Sequence, residues 1–168
     1  RAMARSHAVT ADEPLRRRLS ELELADLGAV VHAATPVDPA DLCARVIEAT
    51  QSIAEARGIR VEMSVPDQHP EISVNAQAVR QLLIMFLYQV IQRHTAHQPL
   101  TLNCAAAGRA FTVRLRFDGP TQAWDDLQQE LAQHEAFQQL LHALDGTIHF
   151  DSGDPFEVTL ALPVDRFV

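Results

Sequence analysis

Apolar residues in this chain recur at two spacings, and the switches between them mark out helices and strands. Leu15, Leu19 and Leu22 stand at i, i+4 and i+7, followed by Leu27 and Val30 with charges between them, which predicts an amphipathic helix. Arg16-Arg17-Arg18 falls on its solvated side. Thr35-Pro36-Val37-Asp38-Pro39 breaks the pattern, and Asp38 before Pro39 suits an N-cap followed by a first helical position. Leu42, Val46, Ala49 and Ile53 then share one face of a second helix that stops near Gly58.

Ile59, Val61, Met63 and Val65 alternate with polar residues, the pattern of a half-buried strand, and Pro66-Asp67 ends it. A short strand, Ile72-Ser73-Val74, precedes the strongest helical stripe: Val79, Leu82, Leu83, Phe86, Leu87, Val90 and Ile91. Gln81, Met85, Tyr88, Gln89 and Gln92 lie opposite that stripe. Two alternating strands follow, burying Leu100, Leu102 and Cys104, then Phe111, Val113, Leu115 and Phe117, joined as a hairpin through Ala107-Gly108-Arg109. Helical spacing returns from Asp125 to Leu131 and at Phe137, Leu140, Leu141 and Leu144, with Gly146 as the expected C-terminal stop. A closing pair of strands, Thr147 to Phe150 and Phe156 to Leu162, is joined by Asp151-Ser152-Gly153-Asp154. Strands and helices grouped in this order predict an α+β two-layer sandwich rather than a doubly wound α/β fold.

With 168 residues the chain has room for one principal domain and an appended segment, and 47% apolar content supports a real core. A net charge of −8 argues against nucleic acid and anionic membrane surfaces, which are bound by clustered Lys and Arg. No apolar run reaches the ~18 residues of a membrane span, and Arg1 to Ser6 lacks the apolar stretch of a secretory leader. A cytoplasmic location is expected. Cys43 and Cys104 show no zinc spacing and are expected as free buried thiols. His32, His94, His97, His134, His142 and His149 show no ligand pattern with carboxylates and are expected at or near the surface, so no metal site is assigned.

Several segments resemble the catalytic ATP-binding domain of bacterial sensor histidine kinases, within the gyrase, Hsp90 and MutL ATPase superfamily. They are Val37 to Leu42 at the entry to a first helix, Ala54 to Ile59 leading into a strand, and Arg80-Gln81-Leu82-Leu83 opening the nucleotide-contacting helix. Ala143 to Ile148 resembles the late helix-to-strand turn and Val158 to Pro163 the final strand. The resemblance implies a two-layer sandwich of the histidine-kinase ATPase type over residues 36–168. Residues 1–35 resemble the second helix of the dimerisation hairpin, with Leu15, Leu19 and Leu22 either packed on a partner helix in a homodimer or folded back onto the domain.

The chain departs from the family where the family does its chemistry. Met85 and Gln89 stand where the resemblance implies paired asparagines that hold Mg²⁺ and phosphates. They share one helix face. A thioether is a soft donor, however, and Mg²⁺ takes hard oxygens. The plain alternative has Met85 filling the core and Gln89 in solvent. The expected basic residue near Gln92 is displaced or replaced, with Arg93 next to it. Asp118-Gly119-Pro120 resembles the start of the Asp-x-Gly-x-Gly box, in which the aspartate binds the adenine amino group. Here the register is off by one residue, and a surface turn accounts equally for it. Where a second glycine box should precede the late helix the chain reads Gln133-His134-Glu135-Ala136-Phe137, without glycine and with an acidic residue. The stretch from Pro120 to His134 is also short for a lid over ATP.

Three readings follow. The first is a degenerate, non-catalytic domain, a pseudokinase in two-component signal transduction, which takes its state from an upstream sensor domain of the same protein or binds a response regulator receiver domain; it needs no cofactor. The second is a working kinase domain that holds ATP and Mg²⁺ through Gln89, Arg93, Asp118 and Gly119. The third is a phosphorelay adaptor between response regulators. It is weakened because neither His7-Ala8 nor His32-Ala33 matches the acidic-flanked phosphorylated histidine of the family.

Overall fold

The computed structural model describes residues 34–67 and 70–166. The leucines assigned to dimerisation, Leu15, Leu19 and Leu22, lie outside the described residues.

Local signals fix the first helix, α1 (Pro39–Ala56). The Asp38 carboxylate accepts from the Ala40 N–H at 2.9 Å, and Pro39 occupies the position where a missing N–H costs nothing. Its end is a Schellman turn. Gly58, at φ +70°, donates to the Glu55 carbonyl and Ile59 to the Ala54 carbonyl, so two open helix carbonyls are satisfied. Strand β1 (Thr35–Val37) precedes α1, and β2 (Val61–Ser64) and β3 (Ile72–Val74) follow it. Then come α2 (Ala76–Arg93), the hairpin β4 (Leu100–Ala107) and β5 (Ala110–Phe117), α3 (Thr121–Gln133) and α4 (Glu135–Ala143). The described chain closes with β6 (Thr147–Asp151), β7 (Phe156–Pro163) and β8 (Asp165–Arg166).

The main sheet has five strands in the order β2-β4-β5-β7-β6, with β2 parallel to β4 and the remaining pairs antiparallel. Its register places Leu102 beside Leu115 and Leu115 beside Val158, so the apolar positions of three strands fall on one face. The four helices of the described residues cover that face. Cys43 of α1 meets Cys104 of β4, and Trp124 of α3 meets Phe117, Phe150 and Phe156. The α+β two-layer architecture expected from the sequence is the architecture observed. A smaller sheet, β1-β3-β8, stands apart. The sequence reading did not resolve β1 or β8, since strands of three and two residues carry no measurable alternation.

Three details correct the sequence reading. Met63 was expected on the buried side of its strand, but β2 is an edge strand and Met63 is 40% exposed. The helix expected at Asp125 starts at Thr121, following Pro120. Gly146 does not take the left-handed conformation at the end of α4. Asp145 does, at φ +54°, while the Gly146 N–H closes the turn on the Leu141 carbonyl at 2.8 Å. Glycine is required at 146 for space: a Cβ there would lie 2.5 Å from Leu162 Cδ2 and 2.7 Å from Leu141 Cδ1.

The two adjacent positions should therefore respond in opposite directions. Gly146→Ala should destabilise the domain by about 1–3 kcal/mol through overpacking. Asp145→Gly relieves a left-handed non-glycine residue and should be neutral to stabilising, by at most about 1 kcal/mol. Urea unfolding midpoints of the two variants check this, and equal destabilisation by both would contradict it.

Candidate functional site

The candidate residues converge on α2, and the sequence shows why that helix is central. Besides the expected stripe it carries Ile84, Met85 and Tyr88, so it is apolar on nearly every side. Such a helix must be covered all round. Asn75 caps its start through the Ala78 N–H at 3.0 Å, α1 packs along one flank, and α3 and α4 pack on another. Phe86 of α2 and Phe137 of α4 lie with ring centroids 6.4 Å apart.

Met85 and Gln89, one turn apart, are both enclosed, at 2% and 7% exposure. Gln89 is thus not in solvent, which corrects the plain alternative offered by the sequence. Arg93 Nη1 donates to the Gln89 side-chain oxygen at 2.8 Å and to its backbone carbonyl at 3.1 Å. On the far side of the guanidinium, Nη2 lies 3.9 Å from Glu130 Oε1 on α3. The one hard oxygen donor that Gln89 offers is therefore engaged with a cation, and the cation faces a carboxylate. Met85 contributes a buried thioether, a soft donor.

Asp118 and Gly119 sit beyond the end of β5 at the C-terminus of α2. The Asp118 carbonyl accepts from the Thr95 N–H at 2.7 Å, and its own N–H donates to His94 Nδ1 at 3.2 Å. Its side chain is exposed. The recess it lines, about 450 Å³, includes Gln98, Thr101, Asn103 and Arg116, but neither Met85 nor Gln89. Thr101, Asn103 and Arg116 alternate with inward-facing residues, which places that recess toward the outer side of the sheet. Gly119 serves close packing. A Cβ on it would lie 2.9 Å from the Phe117 ring and 3.3 Å from the Arg93 carbonyl.

The segment from Pro120 to His134, expected to be short for a lid, is mostly helix α3. Trp124, Leu127 and Leu131 stand at i, i+3 and i+7 and are each at most 1% exposed. The Trp124 indole stacks on Phe156 at 4.9 Å and 8°, and its N–H donates to Ser152 Oγ at 3.0 Å, satisfying the polar edge of a buried ring. Helix α4 follows at once. His134 is its N-cap, with Nδ1 accepting from the Phe137 N–H at 3.1 Å, and Gln138 Nε2 ties the corner by donating to the Leu131 carbonyl at 2.7 Å. A helix N-terminus attracts anions through its open N–H groups. At α4 an imidazole takes one of those groups, and Glu135 adds negative charge in the first turn.

His94 was expected at or near the surface and is instead 1% exposed. The residue joins three elements: ring Nδ1 accepts from the Asp118 N–H and ring Nε2 donates to the Gln98 carbonyl at 3.1 Å, while the backbone carbonyl accepts from Arg57 at 2.9 Å. This pattern defines a neutral ring. Among the described residues no group of three His, Cys, Asp or Glu side chains is placed to hold a metal ion. Sequence reasoning missed Trp124, Glu130, His134 and His94. Of these, only the Pro120-to-His134 stretch carried a signal, in Trp124, Leu127 and Leu131.

Burial lowers the His94 pKa, opposed by the Gln98 carbonyl and the Asp118 charge and assisted by Arg57. The unfolded chain then binds more protons than the folded one between the depressed folded value and about 6.5. Stability should be fully present above about pH 6.5 and fall as the pH drops toward the folded value, by at most about 1.4 kcal/mol per pH unit for one proton. His94→Gln should flatten this slope in urea titrations at stepped pH. An unchanged slope would contradict the assignment.

No family model matches the chain, and no curated protein matches it. Solved structures do. The Acinetobacter baumannii histidine kinase AdeS superposes with a TM-score of 0.66 at 16% identity, over 92% of this chain and 86% of that one. Full-length ShkA, solved in complex with AMPPNP, gives 0.69 at 21% identity over 90% of this chain, which spans 37% of ShkA. The catalytic domain of the histidine kinase ThkA gives 0.62 at 10% identity, over 80% of this chain and 99% of that domain. The chain has the fold of the catalytic ATP-binding domain of sensor histidine kinases.

Proposed function

We propose that this is a degenerate histidine-kinase-type ATPase domain that serves two-component signalling as a non-catalytic interaction module. The observation that carries this reading is the enclosure of Met85 and Gln89, with the Gln89 amide oxygen already accepting from Arg93 and Arg93 facing Glu130 of α3. The residues in the positions of the family's asparagines do not fit Mg²⁺: one donor is soft and buried, the other engaged. The late helix, where the family cradles phosphate, has a capped start and an acidic first turn.

Magnitudes support the same reading. Burying a large apolar side chain stabilises by roughly 1.5–3 kcal/mol, so Trp124, Leu127 and Leu131 together hold α3 in place by roughly 5–9 kcal/mol as an upper estimate. A ligand of micromolar affinity releases about 8 kcal/mol. Nucleotide binding that required α3 to move off α2 would consume most of that. In this role the domain would take its state from an upstream sensor domain of the same protein and present its surface to a response regulator receiver domain. A cytoplasmic setting belongs to the same proposal; no helix among the described residues is long and apolar enough to cross a membrane.

A second reading, a kinase domain with divergent contacts, is favoured by one feature: the Asp118 carboxylate stays exposed after β5, where the family binds adenine. Calorimetry separates the two. Titration with ATP and Mg²⁺ should give no saturable heat up to millimolar nucleotide, and Asp118→Ala should leave that unchanged. Micromolar binding that Asp118→Ala abolishes would overturn the first reading and establish the second.

A further inference from the structure

Cys43 and Cys104 are separated by 61 positions in sequence, yet their sulfurs lie 2.6 Å apart in the core. Non-bonded heavy atoms ordinarily rest at about 3.5–4.0 Å, and a disulfide spans about 2.05 Å. The pair joins the inner face of α1 to the inner face of β4, and both residues are at most 2% exposed. Both stand as free thiols in the structure. The chain between them contains β2, β3 and all of α2. We propose that Cys43 and Cys104 are a modification site, closing as a disulfide that staples α1 to the sheet and encloses α2 in a covalent loop.

The chemistry requires an oxidant, and a low-molecular-weight disulfide such as oxidised glutathione supplies it. One cysteine thiolate attacks a glutathione sulfur, and one glutathione leaves as a thiolate that takes up a proton. The second cysteine then attacks the protein-bound sulfur of the mixed disulfide and expels the second glutathione. Two protein thiols and one oxidised glutathione become one protein disulfide and two reduced glutathiones. The mutual hydrogen bond of the pair, burial and the neighbouring sulfur all push the Cys43 thiol up, so the docked pair reacts slowly. The bond therefore closes while α1 is docking, during folding or local opening, and only where oxidised glutathione prevails, since the reducing cytoplasm of the proposed setting keeps both thiols free.

The test is refolding of the reduced chain in a mixture of oxidised and reduced glutathione. Acid quenching, denaturation, alkylation and mass spectrometry then follow. The staple predicts a monomer two hydrogens lighter than the reduced chain, with no alkylated cysteine and one cross-linked peptide pair from α1 and β4. Its Tm should exceed that of the dithiothreitol-treated protein by roughly 5–15 °C, as expected for a loop of this length in a domain of this size. Cys43→Ala and Cys104→Ala should each leave one alkylated cysteine and no thiol-dependent shift in Tm. If a variant fails to fold, the wild-type mass and Tm decide alone. Full alkylation of both cysteines, persistent glutathione adducts, a cross-linked dimer, or a bond that lowers Tm would each overturn the proposal.

Discussion

A helix with apolar side chains on nearly every face has to be covered on nearly every face, and α2 imposes that condition on the rest of the domain. The sheet lies beneath the helical layer, and α1 closes one flank of α2. Helices α3 and α4 pack on α2, and Trp124, Leu127 and Leu131 drive α3 into place. The shortness of the Pro120-to-His134 segment, the turn through Gly119 against the Arg93 carbonyl, and the His134 cap that starts α4 directly after α3 all serve that packing.

Polar side chains in the region follow the same logic. Gln89 and Arg93 satisfy each other as their helix is enclosed, and Glu130 balances the charge from α3. His94 holds the end of α2 to the end of β5 through Asp118 and to the loop before β4 through Gln98. A buried polar group costs stability unless it is paired. These pairings let Gln89 and His94 exist inside the domain.

Much of the fold was legible because its signals are local and periodic. The Asp38-Pro39 cap, the Gly58 stop, the β4–β5 hairpin and the stripe on α2 are read directly from spacing. Five segments in order, Val37 to Leu42, Ala54 to Ile59, Arg80 to Leu83, Ala143 to Ile148 and Val158 to Pro163, carried the resemblance that led to the fold. Short strands such as β1 and β8 were not legible, since they depend on partners far along the chain. Nor was Asp145 in the left-handed position, because the adjacent glycine was needed for space instead. At the candidate site, Met85, Gln89 and the glycine-free run from Gln133 to Phe137 were visible, but what encloses and engages them was not. The signal lay in Ile84, Met85 and Tyr88 outside the main stripe, which mark a helix covered all round, and in the Trp124 to Leu131 spacing, which marks the helix that covers it.

Trp124 is the sole tryptophan of the chain, so its fluorescence reports on α3 alone. If α3 is seated on the sheet and α2 as described, the emission is that of a buried indole, resists acrylamide quenching, and stays unchanged when ATP and Mg²⁺ are added. Emission characteristic of water-exposed indole, or a red shift with increased quenching on adding nucleotide, would contradict the account.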